Sequence, residues 1–400
     1  MRSHFFTALG SSAKWSFFGA IALSLAACGG GGSSNVAAPA SVVPPVIPPV
    51  IVTSVTLAAS MTGDQEIPAT VTGAFGTGTL ALESPSRVLS GSFTVNGMTA
   101  IDGHVHLGDT GANGPIIVRM TNSGAGTFTV PAGTVLTESQ ADAFAKGGLY
   151  FNAHSTDNPG GEVRGQIGRE VFAAQMSSAQ EVPANASSAT GTGLIDFDPV
   201  TKKIAARMTL TGLSATVAHI HTGALGANGP VAFPLTQTAA ASGIWVSAPD
   251  AVMTDAQIAS LKAGGLYFNA HSSSFPNGEI RGQVGLNVKF ASLNAGQEVP
   301  ANSSYASGTG SLVVNPLTRL ATGSITLSGM TATVAHIHLG ATGANGPVIV
   351  PLTATSANVF SVPANTVLTA DQFKAYKQGN LYFNAHSATY PAGEIRGQIL

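Results

Sequence analysis

The sequence contains one cysteine, two tryptophans and few charged residues among its 400 positions. Because Cys28 is the only cysteine, no disulfide can stabilise the domains of the chain, even in a compartment that would permit one. Only 9% of the residues are charged, against about a quarter in an average soluble protein. The net charge is -2, and lysine and arginine form no stripe, so we exclude nucleic-acid binding.

Recognisable catalytic motifs are missing as well. The sequence has no serine or cysteine nucleophile motif and no glycine-rich phosphate loop, so we predict no enzyme activity. Glycine, alanine, serine, threonine and valine dominate the composition instead. This composition favours short strands joined by tight turns over long helices.

Residues 1–28 are predicted to be a lipoprotein signal peptide. Arg2 and Lys14 supply positive charge, and the apolar run WSFFGAIALSLAA is too short to cross a bilayer as a helix. The run ends in LAAC, which resembles the bacterial lipobox, in which the cysteine is acylated, so Cys28 is the predicted lipidation site. An ordinary signal peptide followed by a chance cysteine is the alternative.

The segment after the predicted anchor indicates a location outside the cytoplasm. Gly29 rather than aspartate follows the cysteine, which in a Gram-negative cell implies sorting to the outer membrane, facing the periplasm or the cell surface. Residues 29–53 are rich first in Gly and Ser and then in Pro, and they form a tether with a flexible and a stiff part. We expect the chain to reach the membrane through its N-terminal lipid.

Three similar units of about 115 residues fill the remainder of the chain. Each unit opens with a copy of GDQEIPA and closes with a copy of GEVRGQI. The period exceeds the roughly 20 to 50 residues of solenoid repeats, so each unit is predicted to be a domain. The predicted domains are residues 54–169, 170–286 and 287–400.

Each unit shows a pattern of short strands interrupted by one helix. Runs such as GTGTLALE and GLYFNAH are punctuated by Gly or Pro, which predicts an antiparallel sandwich or barrel. The segment TESQADAFAKGG begins with a capping box, Thr137 and Gln140, and ends at a glycine suited to a left-handed C-cap. The same device recurs at Thr254 with Gln257 and Gly264, and at Thr369 with Gln372 and Gly379.

Two repeated loops have simple explanations. In GANGP, Gly114 is predicted to adopt a positive φ within a turn, and Pro115 to direct the chain into the next strand.

The repeated segment QEVPA is predicted to be a strand that ends at its proline. Its glutamate is either an exposed charge at a sheet edge or a partner of the arginine in the closing segment.

Nine of the ten histidines belong to one constellation that occurs in every unit. Two of them alternate on a predicted strand, as in HIHLGATGANGP, and therefore point to the same side. A third follows later in the unit, in YFNAHS. The candidate metal ligands are His104, His106 and His154, then His219, His221 and His271, and finally His336, His338 and His386.

Three imidazoles can bind zinc or copper and leave a fourth position for water, a carboxylate or a substrate. The alternative is a structural polar cluster, in which histidines at the mouth of a barrel hydrogen-bond a loop carbonyl and the nearby glutamate. The closing segments add side chains that either pair across strands or orient an imidazole. These are Glu162 and Arg164, Glu279 and Arg281, and Glu394 and Arg396.

Three stretches of each unit resemble the signature of the CHRD domain family, named for the animal protein chordin. In the third unit they read HIHLGATGANGPVIVPL, LYFNAHS and GEIRGQI. With the capping signals, the resemblance implies an all-β fold of three tandem immunoglobulin-like or Greek-key β-barrel domains, each with one short helix. It implies little chemistry, because bacterial members largely lack an assigned activity. Chordin engages growth factors through separate cysteine-rich modules that this chain lacks.

A second stretch, GHVHLGD at residues 103–109, is similar to the copper loop of copper/zinc superoxide dismutase. The implied copper ligands are His104 and His106, with their counterparts His219 and His221, and His336 and His338. The dismutase uses four copper histidines and a zinc loop braced by a disulfide, whereas each unit here offers three histidines, no zinc loop and no cysteine. We therefore do not expect dismutation, and a simpler site with one ion is compatible with the residues.

We expect a membrane-anchored, extracytoplasmic protein whose three modules bind an unidentified protein or surface partner, with copper or zinc as the candidate cofactor. One alternative is a copper- or zinc-dependent oxidoreductase or metal-handling protein that uses the three histidines of each unit. Another is a structural surface or matrix protein in which the repeats set the length.

Overall fold

The computed structural model describes residues 51–400. The predicted signal peptide, its lipidation site Cys28 and most of the predicted tether lie outside the described residues. Residues 51–400 form three all-β modules in tandem, each with one short helix, which confirms the predicted fold class. Within this range, no helix is both long and apolar enough to cross a membrane.

The strands of each module pair with antiparallel neighbours. Module 1 contains β1 (Thr53–Thr62), β2 (Phe75–Ser84), β3 (Leu89–Asn96), β4 (Ala100–Leu107), β5 (Ile116–Arg119), β6 (Thr121–Gly124), β7 (Thr127–Thr129), α1 (Glu138–Ala145), β8 (Leu149–Ser155) and β9 (Val163–Gln166). Module 2 contains β10 (Glu170–Ser177), β11 (Thr190–Phe197), β12 (Ile204–Thr211), β13 (Ala215–Thr222), β14 (Val231–Gln237), β15 (Ile244–Ser247), α2 (Asp255–Lys262), β16 (Leu266–Ser272) and β17 (Ile280–Gln283). Module 3 contains β18 (Asn287–Asn294), β19 (Ser307–Val314), β20 (Ala321–Ser328), β21 (Ala332–Leu339), β22 (Val348–Pro351), β23 (Thr353–Ser356), β24 (Val359–Ser361), α3 (Ala370–Gln378), β25 (Leu381–Ser387) and β26 (Ile395–Gln398).

Module 2 is a closed barrel with the strand order β10-β11-β12-β15-β14-β13-β16-β17. Strands β15 and β14 lie between β12 and β13, which is a Greek-key crossover. Modules 1 and 3 form nine-stranded sheets because the strand equivalent to β14 is divided, at Met120 and at Leu352. Their sheets are therefore the same barrel, interrupted at one residue.

The strand LYFNAHS shows how alternation builds the core. In β16, Leu266, Phe268 and Ala270 are fully buried in the apolar cluster of module 2. The intervening side chains point to the opposite, outer face of the barrel. Gly193 on β11 gives the phenyl ring its space, because a Cβ there would lie 2.4 Å from the ring of Phe268. Gly193 thus serves the packing of this strand.

The predicted helix signals are confirmed in all three modules. Each helix begins with a capping box formed by a threonine side chain and the glutamine three residues later. The glycines predicted to end the helices, Gly264 and Gly379, have φ values of +70° and +76°, in the left-handed region. In module 1 the same place is taken by Gly147, with a φ of +74°. The helix then leads directly into the LYFNAHS strand.

Residues Ile51–Leu400 form one compact unit, in which helix α3 of module 3 contacts module 1. The ammonium group of Lys377 lies 2.6 Å from Asp64 Oδ1, and both side chains are only about a tenth exposed. Lys377 also donates to the carbonyl of Thr70, and Asn287 donates to the other oxygen of Asp64. This ion pair therefore joins the first and the last module, with two hydrogen bonds that compensate for its burial.

Removing one partner of this buried pair should destabilise the protein. We expect Lys377→Ala to lower the free energy of unfolding by about 2–4 kcal/mol, because it leaves the Asp64 carboxylate buried without its cation. Chemical denaturation of the purified chain measures the loss. The double variant Asp64→Asn with Lys377→Met should regain much of it.

Lys374 on the same helix provides the matched control. It lies 3.8 Å from Asp157 of module 1, and both side chains are well exposed. We expect Lys374→Ala to change the free energy of unfolding by less than about 0.5 kcal/mol. Equal losses for the two alanine variants would contradict a special role for the buried pair.

Candidate metal centre

Each module brings its alternating histidine pair together with the later histidine. The pair lies on β4, β13 or β21, and the third histidine lies on the neighbouring strand β8, β16 or β25. Within each set, one ring nitrogen per residue lies within 4.8 Å of those of the other two. We call each set a histidine triad. The triads are His104, His106 and His154; His219, His221 and His271; and His336, His338 and His386.

Strand register explains the convergence. In module 2, His219 lies opposite Asn269, so His271 is its diagonal neighbour on the same face. Ile220, between the paired histidines, is buried in the core. The triad therefore lies on the outer face of the barrel wall. The hydrogen bond to a loop carbonyl that the structural polar cluster predicts is also present.

Backbone carbonyl groups hold two rings of each triad. His221 Nδ1 lies 2.9 Å from the carbonyl oxygen of Gly229, and His271 Nδ1 lies 3.1 Å from that of Pro276. A carbonyl oxygen only accepts, so each Nδ1 carries the hydrogen and each Nε2 keeps its lone pair. The same contacts occur at His106 with Gly114, His154 with Pro159, His338 with Gly346 and His386 with Pro391.

In module 2, the ring nitrogens that face the other histidines of the triad have no hydrogen-bond partner. His219 Nδ1, His221 Nε2 and His271 Nε2 are buried and make no hydrogen bond. A buried polar atom without a partner costs about 1–3 kcal/mol, so three adjacent ones need an explanation. A cation bound by all three lone pairs would satisfy them together.

In modules 1 and 3, the same inner nitrogens lie close to one another. His104 Nδ1 is 3.0 Å from His154 Nε2, and His336 Nδ1 is 3.3 Å from His386 Nε2. Two nitrogens that share a tetrahedral zinc at about 2.0–2.1 Å lie about 3.4 Å apart. His106 Nε2 and His338 Nε2 are buried without a partner, like their counterpart in module 2. The spacing of the first and third histidines therefore fits a shared ion.

Burial favours the neutral form of most of these imidazoles. Loss of solvation lowers the pKa of His106, His221 and His338 below the ordinary value of 6.5, although the loop carbonyl opposes this shift. The pKa is lowered by burial for His104, His219, His271, His336 and His386 as well. At neutral pH these rings carry the lone pairs that a metal requires.

The closing arginine supports the site through the loop rather than through an imidazole. In module 2, the ring of His221 stacks on Tyr267, with centroids 4.9 Å apart. The guanidinium carbon of Arg281 lies 3.6 Å from the centre of the same tyrosine ring. Arg281 also donates to the carbonyl oxygens of Ala224 and Ala227 in the loop after β13. Arg164 and Arg396 make the equivalent contacts.

The closing glutamates do not face the triads. Glu279 accepts a hydrogen bond of 2.7 Å from Ser187, and Glu394 accepts one from Ser304. Glu162 accepts from Thr72 and Ser155. Among residues 51–400, no hydrogen bond or ion pair joins these glutamates to the triads or to the closing arginines. The expectation that they orient an imidazole or pair with the arginine is wrong.

The GANGP loop is part of the site, and its glycine has a different role from the predicted one. Gly114 does not adopt a positive φ; that conformation belongs to Gly111, with a φ of +79°. A Cβ at Gly114 would lie 1.7 Å from the carbonyl oxygen of Leu107, so only glycine fits. Its own carbonyl holds His106, and Asn113 donates to the carbonyl of Ile67 in the QEIPA segment.

The QEVPA segment is a 3₁₀ turn after the strand, not a strand end, and its glutamate is buried. In module 1 the turn spans Gly63–Gln65, and Glu66 is only 5% exposed. Glu66 accepts a hydrogen bond of 3.1 Å from Asn152, which lies opposite His104. Burial raises the pKa of Glu66 to about 7, although Asn152 and Arg164 oppose the shift. The option of an exposed charge is therefore wrong. The closing arginine does act on this glutamate by its charge, although the two form no ion pair at contact distance.

A buried or half-buried carboxyl group close to each triad was not predicted from the sequence. Glu181 and Glu298 repeat the arrangement with Asn269 and Asn384, and burial raises their pKa as well. The alternation in LYFNAHS places each asparagine on the face of the histidine, but no pattern links it to the distant glutamate.

Comparison with protein families identifies the modules. The family model of the CHRD domain matches residues 57–167, 172–284 and 290–399. No curated protein matches the chain.

The buried carboxyl predicts an unusual dependence of stability on pH. Its pKa is 4.5 when unfolded and about 7 when folded, so the stability it contributes is present below pH 4.5 and lost as the pH rises through 7. Glu66→Gln removes this loss. We expect the free energy of unfolding of the variant to gain about 1–3 kcal/mol on the wild type between pH 5 and pH 8.

Urea denaturation at both pH values measures this difference. Glu83→Gln, at an exposed position on β2, is the control and should show no such gain. A difference for Glu66→Gln that stays constant with pH would contradict the buried, protonated carboxyl.

Proposed function

The chain belongs to the CHRD domain family, and from this premise we propose that it is an exported, membrane-anchored binding protein whose three modules each hold one copper or zinc ion. The three CHRD domains make it a modular protein of the binding and interaction class. The single observation that carries the metal proposal is the set of three buried nitrogens without partners in module 2, His219 Nδ1, His221 Nε2 and His271 Nε2.

The donor set indicates which ions fit. Three neutral imidazole nitrogens suit zinc and copper, whereas calcium and magnesium prefer oxygen ligands. The outer nitrogens of His221 and His271 are held by backbone carbonyls, which fixes the ring orientation before any ion arrives. The triad therefore has the preorganisation of a metal site as well as its donors.

A purely structural polar cluster explains less of the geometry. Hydrogen bonds to loop carbonyls account for the Nδ1 atoms of two histidines in each triad. In module 2 they leave all three inner nitrogens without a partner. In modules 1 and 3 the first and third histidines can hydrogen-bond each other, and Nε2 of His106 and of His338 is left without a partner. A bound cation would give these ring nitrogens the partner that the protein groups do not provide.

A second candidate function is a copper-dependent oxidoreductase. The observation that favours it is the number of histidines, because three protein ligands per module would leave an ion free to take a substrate as well, as in catalytic zinc sites. The same coordination position could be filled by a donor from a binding partner, which links metal binding to the interaction function.

A structural protein in which the repeats set the length is less well supported. Lys377 of module 3 contacts Asp64 of module 1, so the modules are not arranged simply end to end.

The amount of bound metal should equal the number of intact triads. We expect the purified full-length chain, dialysed against zinc or copper, to retain about three equivalents of metal. His221→Ala should reduce this to about two, and His106→Ala with His221→Ala and His338→Ala should abolish it. Elemental analysis and isothermal titration measure the stoichiometry, with the two intact triads of the single variant as internal controls. Retention of the same amount by the triple variant would contradict the proposal.

The proposed anchor is the acylated Cys28 at the end of LAAC. We expect Cys28→Ser to move the protein from the membrane fraction to the soluble fraction, because one residue carries the lipid. Cell fractionation and immunoblotting check this. Equal membrane association of the variant and the wild type would rule out the lipoprotein assignment.

A further inference from the structure

The three triads differ at two neighbouring positions. In module 1, Asp102 precedes His104 by two residues and lies opposite His154, while Arg119 lies opposite His104 on β5. The other modules have apolar or cyclic residues at these positions. They are Val217 and Pro234 in module 2, and Val334 and Pro351 in module 3.

Both side chains reach the outer nitrogen of the first histidine. Asp102 Oδ2 lies 3.1 Å from His104 Nε2, and a guanidinium nitrogen of Arg119 lies 3.2 Å from the same atom. The other oxygen of Asp102 accepts from the backbone N–H of Gly103, which holds the carboxylate in place. His104 is only 4% exposed, whereas His219 and His336 are half-buried.

These contacts correspond to two tautomers of His104. With the hydrogen on Nε2, the ring donates to Asp102, and Nδ1 presents a lone pair to the triad. With the hydrogen on Nδ1, Nε2 accepts from Arg119, and Nδ1 donates to His154 Nε2, 3.0 Å away. A metal ion needs the lone pair on Nδ1, so the first tautomer binds metal and the second does not.

Asp102 therefore acts only on the tautomer that binds metal. Its carboxylate accepts the Nε2 hydrogen, raises the basicity of the ring and attracts the cation by its charge. Modules 2 and 3 have no protein acceptor at this place, because valine replaces the aspartate. Arg119 favours the other tautomer, but its side chain is 71% exposed and its charge is screened by solvent.

We propose that the three triads are unequal, and that Asp102 acts as a positioning residue for His104 that makes module 1 the site of highest metal affinity. The inference rests on the proposed metal function. Carboxylates that orient a metal-bound histidine contribute about 10–100-fold in affinity in other sites. Because Asp102 is half-exposed, we expect the lower end of this range.

The experiment is a zinc titration of the full-length chain against a chromogenic chelator. In the wild type, one equivalent should bind about tenfold more tightly than the other two. Asp102→Val should remove this difference, and Asp102→Asn, which keeps an acceptor without the charge, should leave part of it. Val217→Asp in module 2 is the converse test and should create a second tight equivalent.

A readout of the tautomer separates positioning from a general loss of structure. In the ¹⁵N spectrum of the metal-free chain, His104 should carry more hydrogen on Nε2 in the wild type than in Asp102→Val. Arg119→Ala should shift the population further toward Nε2 and tighten the first equivalent. Thermal unfolding identifies any variant that fails to fold, and Val217→Asp tests the inference independently.

The outcomes are distinguishable. Three equivalents of equal affinity in the wild type, or affinities unchanged by both Asp102→Val and Val217→Asp, would overturn the inequality but leave the metal function intact. A wild type that binds no zinc and no copper would overturn the proposed function and this inference with it.

Discussion

The antiparallel register between the strand of the histidine pair and the LYFNAHS strand is the constraint on which each module depends. In module 1 it sets Val105 against Phe151 on the core side and His104 against Asn152 on the outer side. A slip of one residue would bury the histidines and expose the phenylalanine. The apolar core and the histidine triad are thus two faces of the same strand pair, so a change in its register would disrupt both.

Loops complete the triad on the outer face of each barrel, and contacts other than the apolar core fix these loops in place. The loop after β4 supplies the Gly114 carbonyl to His106, and Arg164 fastens the same loop through the Asp109 and Ala112 carbonyls. Without disulfides, backbone carbonyls and one buried arginine carry out this fixation. A site built in this way is oriented by main-chain atoms of the loop, and within the loop it requires glycine at Gly114 and the amide of Asn113.

Much of the fold could be predicted because it follows from local patterns. Alternation identified the faces of the LYFNAHS strand, and Thr137 with Gln140 marked the start of a helix. Predictions failed where the reason was a contact between distant segments. Gly114 is required by the approach of Leu107 rather than by its own φ, and Glu66 is buried by packing against Asn152, 86 residues away. A local sequence pattern does not show which distant segments approach each other in the folded protein.

The repeat of about 115 residues predicts the number of modules. Periods of two and 3.6 residues predict the strands, the helices and which residues share a face. Which nitrogen of His106 and of His154 faces inward depends instead on the carbonyl groups of Gly114 and Pro159, which approach these rings only in the folded module. The tertiary structure also decided that Asp102 rather than Glu162 contacts an imidazole, and that Lys377 reaches Asp64. These relations arise when strands and modules pack, and no local pattern encodes them.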